Sequence, residues 1–362
     1  HKHSEGRLRF VMLLGDVKRI DCAYFDGRII KPYEDDPRIA NDHHLADLDG
    51  DHLPELAVGR IPADTVEEAR AMLDKVIRYE KNANFGGWRR RLNVIAGVGG
   101  FGRMQDWALE SVTQRFLSIN VPAEVDLHVT YANPNSAFCP PPTKLRFVIR
   151  ERFSEGALAV AYLGHGSRLR LDRMRYEGFK YDIFTEEDVP YLEARRGAPI
   201  AFLVCCNAGQ FDGAPDCLGE AMFKEKGGPV AVIASSRVSM PYGNAAFAVE
   251  MLRTLYDPAQ PTLGEAMRVA KRRTYPDQPE DEGRVFLETV GTVYQPDVAL
   301  RARERLEHLY LFNLLGDPCM RLPVPGALKI AAKRDGLRVQ ATIQAPAAGL
   351  LVVECVKPRT LS

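Results

Sequence analysis

No charge of either sign dominates this chain: 48 Lys and Arg stand against 48 Asp and Glu, a formal net charge of zero over 362 residues. Bulk electrostatic capture of nucleic acid or of an anionic membrane is therefore not expected. Long apolar runs are missing as well, none reaching the roughly 18 residues that span a bilayer. Seven cysteines are too few for a disulfide scaffold, and the odd count leaves at least one thiol free unless a bond forms between chains. Internal repeats and low-complexity tracts are absent. The first residue is His1, with no initiator Met and no signal peptide, so a processed or trimmed product is expected. What is present is 46% hydrophobic and 27% charged residues. That balance predicts a soluble globular protein with a large core, as two domains or one plus a small extension.

Two uncharged runs organise the chain. Pro199 to Val204 is short, apolar and suited to a buried strand of a parallel sheet. It stops at Cys205 and Cys206, and Asn207, Ala208 and Gly209 then turn the chain. Gly156 to Leu163 has the same form and stops at Gly164, His165 and Gly166. If the two strands are parallel neighbours, His165 and Cys206 meet at the carboxyl edge of the sheet, where open α/β sheets place reactive groups. A Cys–His nucleophilic pair requires that meeting. The plainer reading of Cys206 is a core residue, since Cys is among the most buried types. His165 is more telling: flanking glycines permit a tight turn, leave the imidazole uncrowded and free a backbone N–H.

Other stretches carry weaker signals. The segment from Cys22 to Asp42, with Pro32, Pro37 and several aspartates, reads as a surface loop. Asp47, Asp49, Asp51 and Glu55 fall at positions one, three, five and nine of a glycine-assisted loop, the hard-oxygen spacing that suits a structural Ca²⁺; an Asp-rich turn is the other reading. His43, His44 and His52 nearby read as exposed loop residues sooner than as a zinc site. Asp64 reads as the cap of a helix from Thr65 to Tyr79. Gly97 to Gly102 satisfies G-x-G-x-x-G, but the carboxylates near the expected distance, Glu124 and Asp126, do not close the next strand, so a flexible glycine turn is preferred over a dinucleotide site. Strands and helices alternate through the middle of the chain, which predicts an α/β sheet covered on both faces. From residue 326 short strands separated by turns predict the opening of a β module.

Tyr-Leu-Gly-His-Gly-Ser (162–167), Phe-Leu-Val-Cys-Cys-Asn-Ala-Gly-Gln-Phe-Asp (202–212), Val-Ile-Ala-Ser-Ser (232–236) and Asn-Leu-Leu-Gly-Asp-Pro (313–318) occur in that order. Together with Met-Leu-Leu-Gly-Asp-Val-Lys (12–18) and Leu-Ala-Val-Gly-Arg-Ile (56–61), they resemble the gingipain family of cysteine peptidases, in the caspase-like clan. The similarity covers most of residues 8–325. It implies a caspase-like αβα sandwich with a mostly parallel sheet, followed by an immunoglobulin-like β segment. On that basis residues 1–90 form a smaller N-terminal α/β subdomain whose first strand–helix units are absent, 91–325 the catalytic subdomain, and 326–362 the start of a β-sandwich-like module.

The resemblance also assigns roles. His165 matches the catalytic His and Cys206 the nucleophile, with the N–H groups of Gly166 and Cys206 holding the oxyanion. Asp106 matches an acidic residue lining the S1 pocket of Arg-specific members, where it would pair with a P1 guanidinium; a helix N-terminal Asp is the plainer reading. Tyr242 matches an aromatic S1 wall, and Ser235 is taken with them as substrate-binding. The family's acidic partner of the His is replaced here by Val98. A peptide or protein substrate, no cofactor for the chemistry and a secreted or cell-surface location are implied, while the oligomeric state stays open. Alternatives kept are sortase-like transpeptidation, an inactive scaffold binding calcium or partners, and a dinucleotide enzyme.

Overall fold

A computed structural model describes residues 7–82, 86–99, 117–134, 136, 138–194, 197–324, 328–336 and 338–344. Eight strands form one sheet: β1 (Phe10–Leu14), β2 (Ala57–Ile61), β3 (Arg91–Ala96), β4 (Asp126–Tyr131), β5 (Ala159–Leu163), β6 (Ile200–Val204), β7 (Ala231–Ser235) and β8 (Phe312–Leu315). Their order is β1-β2-β8-β7-β6-β5-β3-β4. From β7 to β4 all neighbours are parallel, β8 runs against β7, and β1 and β2 run parallel to β8. The sheet is therefore mostly parallel. The first 90 residues add β1 and β2 to this same sheet through the pairing of Arg60 with Leu315.

The central strands are apolar throughout because both faces are covered. Phe202 and Ile233 point into one core, with Phe247, Leu252 and Leu309. Ala201, Leu203 and Val232 alternate into the other, with Leu145, Ile149 and Phe223. The first face is covered by helices α4 (Pro241–Leu255), α5 (Leu263–Thr274), α6 (Glu282–Tyr294) and α7 (Val298–Leu311). The second carries α2 (Pro142–Ser154) and α3 (Leu218–Lys224). Each fully buried Leu, Ile or Phe contributes about 1.5–3 kcal/mol from burial alone. This is the αβα arrangement expected from the alternation of strands and helices.

Helix α1 spans Val66–Lys81, and its cap is Thr65, whose Oγ accepts from the Glu68 amide at 3.2 Å. Asp64, expected to be the cap, is paired instead with Lys224 at 3.0 Å. The segment expected to be a surface loop contains a hairpin, Ala23–Asp26 with Arg38–Asn41. Near the end of the chain, Lys329–Asp335 and Arg338–Gln344 form an antiparallel pair, in the region expected to be β.

Candidate active site

Residues Leu163 of β5 and Val204 of β6 are register partners, so the segments that follow them leave the sheet side by side. The Gly164 amide donates to the Val204 carbonyl at 3.3 Å. The Tyr162 hydroxyl donates to the His165 carbonyl at 2.7 Å, which fixes the turn bearing the imidazole. Gly164 and Gly166 are required there by close approach. A Cβ on Gly164 would lie 2.6 Å from the Tyr162 hydroxyl, and one on Gly166 would lie 2.6 Å from Cys205 Sγ and 3.0 Å from the Cys206 carbonyl. The two expected catalytic segments thus pack directly on each other, with His165 exposed on the turn.

The adjacent cysteines differ sharply. Cys205 is fully buried, and burial pushes its thiol well above its ordinary value, so it is inert. Cys206 is half-buried. Its thiol is also pushed up, first by burial and also by the negative charge of Glu34; hydrogen bonds from Ser239 oppose this. The Ser239 amide donates to Cys206 Sγ at 3.4 Å, and Asn244 Nδ2 donates to the Ser239 hydroxyl at 2.9 Å. After Cys206 the chain turns through Asn207 at φ 58°, a left-handed conformation that Asn tolerates better than most residues. The Asn207 amide is bonded to the Arg237 carbonyl at 3.1 Å. The segment after β7 is thereby drawn against the one bearing Cys206.

Other expected site residues lie elsewhere. Ser235 is fully buried and its hydroxyl donates to the Arg237 carbonyl at 2.7 Å. Tyr242 is only 2% exposed. Its hydroxyl donates to Glu288 and accepts from Arg305 Nη1 at 2.7 Å, and burial and the Glu288 bond raise it to about 12. Both differ from the surface position expected of a substrate contact: each side chain is buried, with its polar atom bonded inside the protein. Asp106 and half of the glycine turn, residues 100–102, lie outside the described residues.

Carboxylate oxygens of Asp47, Asp49 and Glu55 converge to within 4.8 Å of one another. Asp51 is not in that group; its Oδ1 accepts from the Leu53 amide at 2.7 Å. Glu55 also meets Arg272 at 3.0 Å. Among the histidines, His43 is buried, with Nε2 2.9 Å from the His52 carbonyl, and His52 Nδ1 lies 2.7 Å from the Tyr310 hydroxyl. The histidines form no cluster with metal-ligand spacing among the described residues.

The sequence profile of peptidase family C25 matches residues 1–323. The chain belongs to peptidase family C25. It is 26% identical over 236 residues to gingipain R2 of Porphyromonas gingivalis, a match covering 63% of this chain and 28% of that protein. Gingipain R1 of the same organism is likewise 26% identical over 63% of this chain, covering 21% of its own length. The chain thus spans only a minor part of these curated C25 relatives. The crystal structure of the Arg specific cysteine proteinase gingipain R superposes with a TM-score of 0.59 at 19% identity, covering 90% of this chain and 67% of that one. A second solved protease gives 0.61 at 18% identity, covering 92% and 70%. The C25 chain therefore has the gingipain R fold, as its motifs led us to expect. Among its described residues no helix is long and apolar enough to cross a membrane.

Sequence reasoning missed Glu34, whose carboxylate accepts from the Val238 amide at 2.6 Å, one residue before Ser239. The acidic run Glu34-Asp35-Asp36 between two prolines was its only signal.

Proposed function

We propose that this chain is a cysteine endopeptidase in which Cys206 is the nucleophile and His165 the general acid–base. The observation that carries the reading is the packing of Gly166 against Cys205 and Cys206, with Cys206 half-open and Cys205 sealed. Cys206 Sγ attacks the scissile carbonyl carbon and its proton passes to His165. The N–H groups of Gly166 and Cys206 hold the oxyanion that forms on the carbonyl oxygen. Collapse breaks the C–N bond, His165 protonates the departing amine, and a thioester remains. Water, deprotonated by His165, then cleaves the thioester and returns the thiol. Because burial raises the Cys206 thiol, the resting group is protonated near neutrality, and the proton must leave as attack proceeds.

We extend the reading to an Arg preference at P1 through Asp106, to a secreted or surface location, and to a structural Ca²⁺ held by Asp47, Asp49 and Glu55. The motif match to Arg-specific members supports the first, family membership the second, and the convergence of three carboxylates the third. The test is hydrolysis of fluorogenic peptides with Arg, Lys, Asp, Asn or Leu at P1, under reducing conditions, by the wild type and Cys206→Ala. Cleavage of the Arg peptide that vanishes in the variant is expected. Cleavage that survives in the variant would overturn the assignment of the nucleophile.

A further inference from the structure

The Cys206 thiol is seated against one backbone segment, residues 237–240, which is tied down residue by residue. Arg237 forks onto Asp212, with Nη1–Oδ1 2.8 Å and Nη2–Oδ2 2.6 Å. The Val238 amide donates to Glu34 Oε1 at 2.6 Å, the Ser239 amide to Cys206 Sγ at 3.4 Å and the Met240 amide to His308 Nε2 at 3.1 Å. Glu34 reaches this segment from a distant part of the chain, and the loop carrying it is itself anchored. The Gly27 amide closes its base on the Pro37 carbonyl at 3.1 Å. Ile30 is fully buried in the core. The buried carboxylate of Glu307, paired with Arg303 at 2.8 Å, accepts from the amides of Arg28 at 2.8 Å and Ile29 at 3.1 Å. A continuous set of ties thus runs from helix α7 through the loop to the thiol.

We propose that Glu34 is a positioning residue of the Cys206 centre: its carboxylate fixes the Val238 amide and so aims the next amide, that of Ser239, at the sulfur. The proposal rests on the peptidase reading only in taking Cys206 as the nucleophile. Glu34 acts on the thiol in two opposed ways. The amide that it aims donates to sulfur and favours thiolate, whereas its own negative charge disfavours thiolate. The other groups near the thiol are Cys205 just after β6, Tyr162 from β5 and the Ser239 donors beyond β7, with the Asp212–Arg237 pair bordering Glu34. Of these, the Ser239 amide is the group that the Glu34–Val238 bond positions. Glu34→Gln keeps an acceptor oxygen for Val238 and removes the charge, and Glu34→Ala removes both.

The experiment is the rate at which iodoacetamide alkylates Cys206, followed by peptide mass spectrometry across the neutral and alkaline range, for wild type, Glu34→Gln and Glu34→Ala. Peptide cleavage and Tm are measured alongside. The Glu34→Gln profile is expected to move to lower pH with cleavage within about threefold of wild type, and Glu34→Ala to lose about tenfold or more in kcat with a smaller change in KM. Wild-type alkylation profiles in both variants would overturn the proposal. If Glu34→Ala does not fold, Glu34→Met, which also removes the acceptor for Val238, takes its place. Alkylation needs no turnover, so the two readings separate. A shifted profile without cleavage refutes the peptidase and keeps the positioning role, and cleavage with an unshifted profile does the reverse.

Discussion

Two polar clusters flank helix α4, and they are built on opposite terms. Around Tyr242 a bonded network joins three helices: the tyrosine is bonded to Glu288 and Arg305, Arg305 also meets Asp277 and the Tyr275 carbonyl, and Arg301 joins Glu288 at 3.1 Å and the Gln295 carbonyl at 2.7 Å. Around Cys206, the side-chain carbonyl oxygens of Asn207 and Asn244 are buried without a partner among the described residues, and the sulfur is half-open. The Tyr242 network has spent its hydrogen bonds on holding helices α4, α6 and α7 together. On the proposed reading of Cys206 as nucleophile, the unsaturated cluster beside it has capacity left for a peptide.

The comparison breaks most decisively at the neighbouring cysteines. Cys206→Ala is expected to lower peptide cleavage about a thousandfold or more with little change in Tm. Cys205→Ala should do the reverse, costing about 1–2 kcal/mol of stability through the lost sulfur while cleavage stays within a few-fold. An inactive Cys205→Ala protein of normal Tm would exchange their roles. Next in size, Gly166→Ala forces a methyl against Cys205 Sγ, and cleavage should fall by about tenfold or more in a folded protein. Tyr242→Phe probes the bonded network. It should cost about 1–3 kcal/mol, read from denaturant midpoints, with kcat/KM nearly unchanged. A collapse of kcat/KM at unchanged stability would instead restore Tyr242 to the substrate pocket.

The same contrast explains what could be read from residues alone. Ala159–Leu163 and Ile200–Val204 are uncharged runs that end abruptly in glycine, histidine and cysteine, and period, length and terminators all agree there. The sheet, and the side-by-side exit of the segments that carry His165 and Cys206, follow from local pattern plus parallel pairing. Tyr242 could not be placed that way. An aromatic at a helix start serves equally as a pocket wall or a buried post, and only Glu288, Arg301 and Arg305, contributed by α6 and α7, decide between them. Glu34 was illegible for a similar reason: its partner, Val238, is supplied by the fold and lies beyond any sequence window. Asp51 shows the limit of spacing arguments, since a carboxylate at the right interval in sequence lies outside the converging group.

A smaller effect sharpens the comparison through pH. Glu304 on α7 accepts from the Gly243 amide at 2.8 Å, and burial pushes its carboxyl up to about 7. The folded state thus holds this proton more tightly than the unfolded chain, whose Glu titrates near 4.3. Its contribution to stability is full below that unfolded value and is lost as pH rises through about 7. Glu304→Gln keeps the acceptor and cannot ionise. It is expected to raise stability by about 1–3 kcal/mol at pH 8 and to leave it nearly unchanged at pH 4. Equal shifts at both pH values would show that the ionised carboxylate is not the source.

The smallest expected effect concerns the acidic loop, which stands between the two cluster types. Asp47 and Asp49 are tied to amides within the loop, from Gly50 at 2.8 Å and Asp51 at 3.2 Å, so the turn holds its shape by itself. Yet three like charges converge within 4.8 Å, and a divalent cation would relieve their repulsion while the loop supplies hard oxygens. Ca²⁺ at ten times its Kd would then add about 1.4 kcal/mol to stability. The gain should show as a modest rise in Tm that a chelator reverses, and Asp49→Asn should abolish it. Asp51→Asn should leave it intact, because that carboxylate lies outside the converging group. A rise that survives Asp49→Asn, or none at roughly millimolar Ca²⁺, would mean that the loop is a turn stabilised by its own amides and that Arg272 on Glu55 already supplies the positive charge that the cluster needs.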